Sequence, residues 1–140
     1  MIKKVLGTTL AAFALAALLP AGAAQAATCK GSSCLGKNPQ TAGCGADAVT
    51  LKGSAIRPAG GGPAAVIRNS STCGAAWARI EKANSAWRFK IEIKGGKSYL
   101  ANANPNHEAY TLMVPSSTAY RTCVEIYDGA GGSWSCTKWF

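Results

Sequence analysis

The stretch from Trp87 to Lys94 constrains the fold of this chain more than any other. Its apolar and charged residues alternate strictly. The apolar set is Trp87, Phe89, Ile91 and Ile93, and the charged set is Arg88, Lys90, Glu92 and Lys94. A helix, with its period of 3.6 residues, could not separate the two sets, whereas a strand with a period of two does. The pattern therefore predicts a β-strand that places Phe89 and Ile91 in the core.

Shorter stretches of the same kind predict further strands. Val49 and Leu51 alternate with polar residues, so 47–57 is expected to be the first main strand. The segment 74–83 fits a strand with Trp77 and Arg79 on one face, although its composition also suits a helix. The remaining strands are expected at 64–69, 98–101, 110–114, 118–127 and 133–139, the last with Trp134, Cys136 and Lys138 on one face.

Glycine-rich turns separate these segments. Gly95-Gly96, between Lys94 and Lys97, predicts a two-residue hairpin loop. Short strands at this spacing, without a sustained helical pattern, are typical of sandwiches and barrels. The sequence thus predicts an all-β fold, a small antiparallel barrel or sandwich of about six to eight short strands, stapled by disulfides.

The first 26 residues have the organisation of an export signal. Lys3 and Lys4 precede an apolar run, and Ala24-Gln25-Ala26 fits a cleavage site. The run is about 15 residues long, against roughly 20 needed to span a bilayer, so we expect no transmembrane anchor in the mature chain. We expect cleavage after Ala26, with Ala27 as the alternative, and secretion of the product. The mature part divides into a Cys-rich N-terminal loop at 27–45 and a β-domain at 46–140.

All six cysteines lie in the mature part. An even number of cysteines in a small exported chain predicts disulfides. A glycine-rich stretch between the last two can turn a hairpin and favours their pairing. The pairing we expect is Cys29–Cys34, Cys44–Cys73 and Cys123–Cys136. The chain has no Cys-x-x-Cys pair and a single histidine, so neither a metal site nor a cofactor is predicted.

The charge balance has two interpretations, solubility and attraction to an anionic partner. Without Lys3 and Lys4, 13 basic and six acidic residues remain, a net charge of +7. Such a charge attracts anionic polymers and acidic proteins, although it also serves solubility. The tyrosines do not interleave with the basic residues as in an RNA-binding sheet, so nucleic acid is not the expected partner.

Two groups of residues are candidates for binding. Trp77 and Arg79 share one strand face, and Trp and Arg are enriched at binding hot spots; the alternative is a buried Trp beside a structural Arg. The second group lies on the charged face of the strand from Trp87 and in the following turn. It consists of Arg88, Lys90, Lys94 and Lys97; the alternative is a charged face that is only solvated.

Catalytic candidates are few. His107 and Glu108 are adjacent in an Asn-rich loop, and such a His–carboxylate pair could serve as a general base or hold a metal. Adjacent loop residues are more often solvated, and no nucleophile motif accompanies them. Asp47 is expected to cap a turn. The sequence therefore predicts that the protein is not an enzyme.

The cysteine-containing segments resemble a known family. The N-terminal part reads Cys29-x-Gly31-x-x-Cys34-x-Gly36-x-x-Pro39 and Cys44-x-x-Asp47-Ala48-x-Thr50. Further segments are Arg68-x-Ser70, Cys73-x-x-x-Trp77-Ala78-Arg79, Tyr110-Thr111-x-Met113 and Cys136-Thr137-x-Trp139. The pattern resembles an actinobacterial family of small exported domains of unknown function, in which Asp is more frequent at the position of Asn38. The resemblance implies an extracytoplasmic domain and implies no reaction.

Two functional hypotheses follow. The first is a secreted, non-catalytic binding domain that engages an extracellular protein or an anionic cell-wall polymer. The second is a secreted inhibitor or antagonistic effector that acts on an extracellular enzyme. Salt-dependent retention on wall polymer would favour the first, and stoichiometric inhibition of an enzyme would favour the second.

Overall fold

The computed structural model describes residues 25–127, 129 and 132–140, so most of the predicted signal peptide lies outside the described residues. Within them the chain forms one 3₁₀-helix, Gly31–Cys34, and nine short strands. The strands are β1 (Val49–Thr50), β2 (Ala65–Ser70), β3 (Ala75–Ile80), β4 (Trp87–Ile93), β5 (Ser98–Asn102), β6 (Ala109–Tyr110), β7 (Val114–Pro115), β8 (Tyr120–Ile126) and β9 (Ser135–Cys136). The described part contains no helix long and apolar enough to cross a membrane.

The strands form two antiparallel sheets. The first sheet has the order β1-β2-β3-β6, with β7 paired to β3 next to β6. The second sheet has the order β5-β4-β8-β9. β2 packs over β8 and β3 over β4, so the sheets face each other as a sandwich. The predicted all-β fold is therefore confirmed, and it is the sandwich alternative that the chain adopts.

The space between the sheets is filled by the inward faces of the central strands. Phe89 and Ile91 of β4 are fully buried, as the alternating pattern predicted. They meet Ile67 and Ile80 of the first sheet and Val124 of β8. Many of the other core positions are small, namely Ala65, Ala76, Ala78 and Ala103.

Strand β3 is buried on both of its faces. Ala76, Ala78 and Ile80 face the core between the sheets. Ala75 and Trp77 point the other way, into a second, smaller cluster formed with the N-terminal loop. The segment is thus a strand and not a helix, and its two faces separate as the alternation predicted.

The Cys-rich N-terminal loop covers the outer face of the first sheet. The disulfides are Cys29–Cys34, Cys44–Cys73 and Cys123–Cys136, the same pairs that the sequence favoured. Cys44–Cys73 ties the loop to the residues just before β3. Within the loop, the side-chain oxygen of Asn38 accepts hydrogen bonds from the backbone N–H groups of Gln40 and Thr41. An Asp at position 38 could accept the same bonds.

The first main strand is shorter than expected. The strand itself is limited to Val49–Thr50, and Val49 is 60% exposed. The chain turns at Gly53, whose φ of +78° suits glycine. Ile56 then returns to pair with Ala65 as an isolated bridge. The expected strand at 47–57 was therefore wrong in its extent, because the turn interrupts the alternation.

The β4–β5 hairpin differs from the predicted one by a single residue. The N–H of Ile93 donates to the carbonyl of Lys97, and that of Gly96 donates to the carbonyl of Ile93. The loop therefore contains Lys94, Gly95 and Gly96 rather than two glycines. Three-residue loops of this kind use a glycine with positive φ, as Gly95 has at +70°.

The expected strand at 110–114 is split into β6 and β7. Tyr110 pairs with Arg79, whereas Val114 pairs with Ala76, so the register shifts by one residue. The hydroxyl of Thr111 accepts the N–H of Ala78 and maintains the hydrogen bonding at the break. Pro115 is tolerated within β7 because edge strands need fewer donors. This split raises the strand count to nine, above the expected six to eight.

The disulfides should differ in how much they stabilise the fold. In the chain-entropy model, the Cys44–Cys73 link, which spans 29 residues, contributes about 3.5 kcal/mol and a five-residue link about 2 kcal/mol. We expect Cys44→Ala/Cys73→Ala to lower the free energy of unfolding more than Cys29→Ala/Cys34→Ala, measured by urea denaturation. Both pairs are buried, so the two variants are matched in environment. A larger loss for the second variant would contradict the role given to the Cys44–Cys73 link.

Candidate functional site

The outer face of the second sheet is the candidate site. Its side chains lie in three rows that cross the strands. In the central row Lys90 is opposite Leu100 on one side and Cys123 on the other, and Cys123 is opposite Cys136. The two flanking rows hold Asn102, Arg88 and Glu125, and Ser98, Glu92 and Arg121.

Opposite charges pair along these rows. The guanidinium of Arg88 donates to Oε1 of Glu125, with 2.8 Å between Nε and Oε1. The carboxylate of Glu92 accepts a hydrogen bond from Nε of Arg121 at 2.5 Å, and its other oxygen lies 3.0 Å from Nζ of Lys90. Burial raises the pKa of Glu92, but hydrogen bonds and charge attraction from Lys90 and Arg121 outweigh it, so the pKa lies below its ordinary value. The face is therefore a network of ion pairs rather than a free basic patch.

Three aromatic rings lie over this network. The guanidinium carbon of Arg88 is 3.8 Å from the centre of the Tyr127 ring. Nζ of Lys90 is 4.7 Å from the centre of a Trp134 ring, and the guanidinium carbon of Arg121 is 4.4 Å from that of Trp139. These are cation–π distances. We call Tyr127, Trp134, Trp139 and the cations beneath them the charged–aromatic face.

An irregularity in the C-terminal segment places Trp139 on this face. Cys136 pairs with Cys123, while Phe140 and Tyr120 exchange both backbone hydrogen bonds. The C-terminal segment therefore carries one extra residue between these pairs, as in a β-bulge. The expectation that Lys138 shares a face with Trp134 and Cys136 was wrong, because the extra residue brings Trp139 over Arg121 instead.

The sequence-predicted basic group is divided by the structure. Arg88 and Lys90 lie on the charged–aromatic face and are engaged by carboxylates. Lys94 and Lys97 lie at the β4–β5 turn, where both are exposed and, within the described residues, neither has an ion-pair partner. The aromatic members of the face were not predicted as binding residues, although the expected face containing Trp134 and Cys136 was the signal that could have found one of them.

Trp77 and Arg79 do not form a surface site. Trp77 is only 2% exposed and packs against the N-terminal loop. The guanidinium of Arg79 bonds to Glu108 at 3.1 Å and to Glu81 at 2.9 Å. The proposal of a contact through Trp77 is thus corrected to the structural alternative, because the disulfide-linked loop covers this face of β3.

The remaining candidate residues, His107, Glu108 and Asp47, also have structural partners. Nδ1 of His107 lies 2.7 Å from the backbone oxygen of Glu108, whose carboxylate instead binds Arg79. Asp47 accepts hydrogen bonds from the hydroxyls of Ser70 and Ser71 and from the backbone N–H of Thr72. These contacts, that of Ser70 foremost, hold the pKa of Asp47 well below its ordinary value.

The clusters with metal-ligand residue types are occupied by disulfides. The sulfurs of Cys29, Cys34, Cys44 and Cys73 lie within 4.8 Å of one another. They are joined in two S–S bonds, so they offer no thiolate, which is the form of cysteine that binds metals. Cys123 and Cys136, near Glu92, are likewise bonded to each other.

Arg88 should be important for the stability of the fold as well as for the position of Tyr127 on the charged–aromatic face. The Glu125 side chain is 1% exposed, so Arg88→Ala leaves a buried carboxylate without its cation. Loss of one partner of a buried pair costs about 3–5 kcal/mol. We expect a loss of this size in urea denaturation, and a smaller one in the double variant Arg88→Met/Glu125→Leu. Lys94→Ala, on the exposed turn, is the control. A loss below about 1 kcal/mol, within the range of surface pairs, would contradict this role.

Asp47 should make stability depend on pH. Because its pKa is lower in the folded chain, folding favours the ionised form. This contribution is complete above the unfolded pKa of about 3.9 and is lost as the pH falls towards the folded pKa. We expect Asp47→Asn to be less stable than the wild type at pH 7, and the difference to shrink below about pH 4. Ser32→Ala, at an exposed serine that does not contact Asp47, is the control. A constant difference from pH 7 to pH 2 would contradict the assignment.

The comparisons with known proteins give a family but no function. No curated protein and no solved structure has significant similarity to the chain. A family model described as "Protein of unknown function (DUF2690)" matches residues 32–124, which include the Cys44–Cys73 disulfide and strands β1 to β7 with most of β8. The protein belongs to this family of unknown function.

Proposed function

We propose that this protein is a secreted, non-catalytic binding domain that engages an extracellular protein through its charged–aromatic face. The observation that carries the proposal is the stacking of Tyr127, Trp134 and Trp139 over Arg88, Lys90 and Arg121. Trp, Tyr and Arg are the residue types that dominate protein-binding hot spots. Rings held in place by the cations beneath them lose little freedom on binding, which favours affinity.

The charge distribution favours a protein over a cell-wall polymer. A polyanion is held by cations that are free to replace its counterions. On this face Arg88, Lys90 and Arg121 already bind Glu92 and Glu125. The exposed Lys94 and Lys97 at one end add attraction to an acidic rim of the partner, which speeds association more than it adds affinity.

Two further features support an extracellular location. Three disulfides suit an oxidising compartment, and the sequence starts with the pattern of an export signal. Gln25 to Thr28 are exposed in the structure, while Cys29 is buried and cross-linked. Cleavage after Ala26 would therefore leave the disulfide-linked fold intact.

The test compares two kinds of variant in partner capture. The bait is the tagged protein, added to culture supernatant and to purified cell wall at low and high salt. We expect a supernatant protein to be retained at high salt, and Trp134→Ala/Trp139→Ala to weaken its binding at least about 30-fold, the size of a hot-spot effect. Lys94→Glu/Lys97→Glu should slow association and lose its effect as salt rises.

Matched controls lie elsewhere on the surface. Leu112→Ala truncates an exposed apolar side chain away from the face, and Lys52→Glu/Lys82→Glu reverses two exposed charges. Neither should change binding, and circular dichroism should show that all variants remain folded. Salt-sensitive retention on cell wall that survives Trp134→Ala/Trp139→Ala would overturn the proposal and favour a polyanion. A captured enzyme that is inhibited in a one-to-one ratio would identify the domain as an inhibitor, the alternative hypothesis.

A further inference from the structure

The outer edge of β5 carries unused hydrogen-bonding groups. The hydrogen bonds between Ile93 and Lys97 and between Ala103 and Trp87 fix which residues of β5 face β4. By this alternation Tyr99 and Ala101 bond to β4, and the backbone N–H and C=O groups of Ser98, Leu100 and Asn102 point away from the sheet. Among the described residues these outward groups have no backbone partner.

This edge lacks the features that usually prevent strand pairing. Edge strands are commonly protected by proline, by charged side chains, by bulges or by a covering segment. β5 reads Ser-Tyr-Leu-Ala-Asn, with no proline, no charge and a regular register to β4. Ser98, Leu100 and Asn102 are exposed, and Leu100 is 51% accessible. An uncharged edge with an exposed leucine at its centre is suited to receive another strand.

We propose that β5 pairs with β5 of a second copy of this chain, antiparallel and centred on Leu100. The two-fold axis places Leu100 opposite its own counterpart and Ser98 opposite Asn102. All three outward residues then use both backbone groups, which makes six hydrogen bonds across the axis. The two leucines cover each other. The amide nitrogen of Asn102 donates to the backbone oxygen of Ser85, so its side-chain oxygen is left to accept from the Ser98 hydroxyl of the other copy. The result is a continuous eight-stranded sheet.

The rows of charged side chains on the charged–aromatic face continue across this axis, and each flanking row then contains opposite charges from the two copies. In one copy Ser98 lies beside Glu92, and Asn102 lies beside Arg88. Pairing Ser98 with Asn102 therefore puts Glu92 of one copy in the same row as Arg88 of the other. An antiparallel pair also keeps opposite side chains on one face, so the two charged–aromatic faces join into one surface.

The size of the contact predicts a weak dimer. Five residues from each copy bury less than the standard interface of about 1,600 Å². Each copy also carries a net charge of +7 without Lys3 and Lys4, and this repulsion is screened over about 8 Å at physiological ionic strength. Association should therefore rise with salt. This dependence is opposite to that of binding to a polyanion and distinguishes the two.

The first test measures mass against concentration. Sedimentation equilibrium of the disulfide-bonded protein should show a mass that rises towards twice that of the monomer, more so at high salt. Leu100→Lys places two like charges opposite each other and should weaken association at least about tenfold. Leu100→Pro removes an outward N–H without removing a bond to β4, and should have the same effect. Leu112→Lys, at another exposed leucine, should leave association unchanged.

The second test determines the register of the two paired β5 strands. Directly opposite residues of a hydrogen-bonded pair have Cα atoms about 5.5 Å apart, which suits a disulfide. Leu100→Cys should therefore form an intermolecular disulfide under oxidising conditions, whereas Leu112→Cys should form far less. A monomer at all concentrations and salt levels, or equal cross-linking of the two cysteine variants, overturns the proposal. So does a dimer that Leu100→Lys does not weaken. None of these results bears on the charged–aromatic face, whose test uses Trp134 and Trp139.

Discussion

The burial of β3 on both of its faces is the constraint on which the rest of the structure depends. Trp77 needs a cover on the side away from the sandwich, and the N-terminal loop supplies it. Backbone hydrogen bonds of Gly36 and Lys37 with Met113 hold the loop against the sheet, and Cys44–Cys73 fixes it next to the start of β3. One outer face of the sandwich is thereby closed. The other, on the second sheet, is left for the ion pairs and the aromatic rings.

The carboxylates show how this second face differs from a simple basic patch. Each glutamate of the chain lies in an ion pair with arginine or lysine. Near the centre of the second sheet, Glu92 and Glu125 pair with the three cations Arg88, Lys90 and Arg121. The excess positive charge is left at the periphery, on side chains such as Lys94 and Lys97. The cations beneath the aromatic rings are therefore paired with carboxylates, and the two lysines, which have no ion-pair partner in the described part of the chain, lie at one end of the face.

Local patterns predicted the strands and faces well, and distant contacts explain what they missed. The alternation of β4 identified Phe89 and Ile91 as core because its period is visible within one strand. Whether Trp77 is exposed depends on a loop about 40 residues earlier in the chain, which no local pattern contains. Trp139 depends on one extra residue in the C-terminal segment, and such a bulge inverts the faces of everything that follows it. The single-residue shift in the β4–β5 loop has a local origin instead, since either of two adjacent glycines could take the positive φ of the turn.

The small residues of the central core have a consequence for the order of events in folding. Ala65, Ala76, Ala78 and Ala103 fill positions where larger side chains would bury more apolar surface. A core of this kind contributes less hydrophobic stabilisation, and small domains with such cores depend on cross-links. Before its thiols are oxidised, the chain is therefore expected to stay unfolded. Under the secretion that we propose, an unfolded chain is the form that can be threaded through a narrow translocation channel, and the alanines that weaken the core would favour that form.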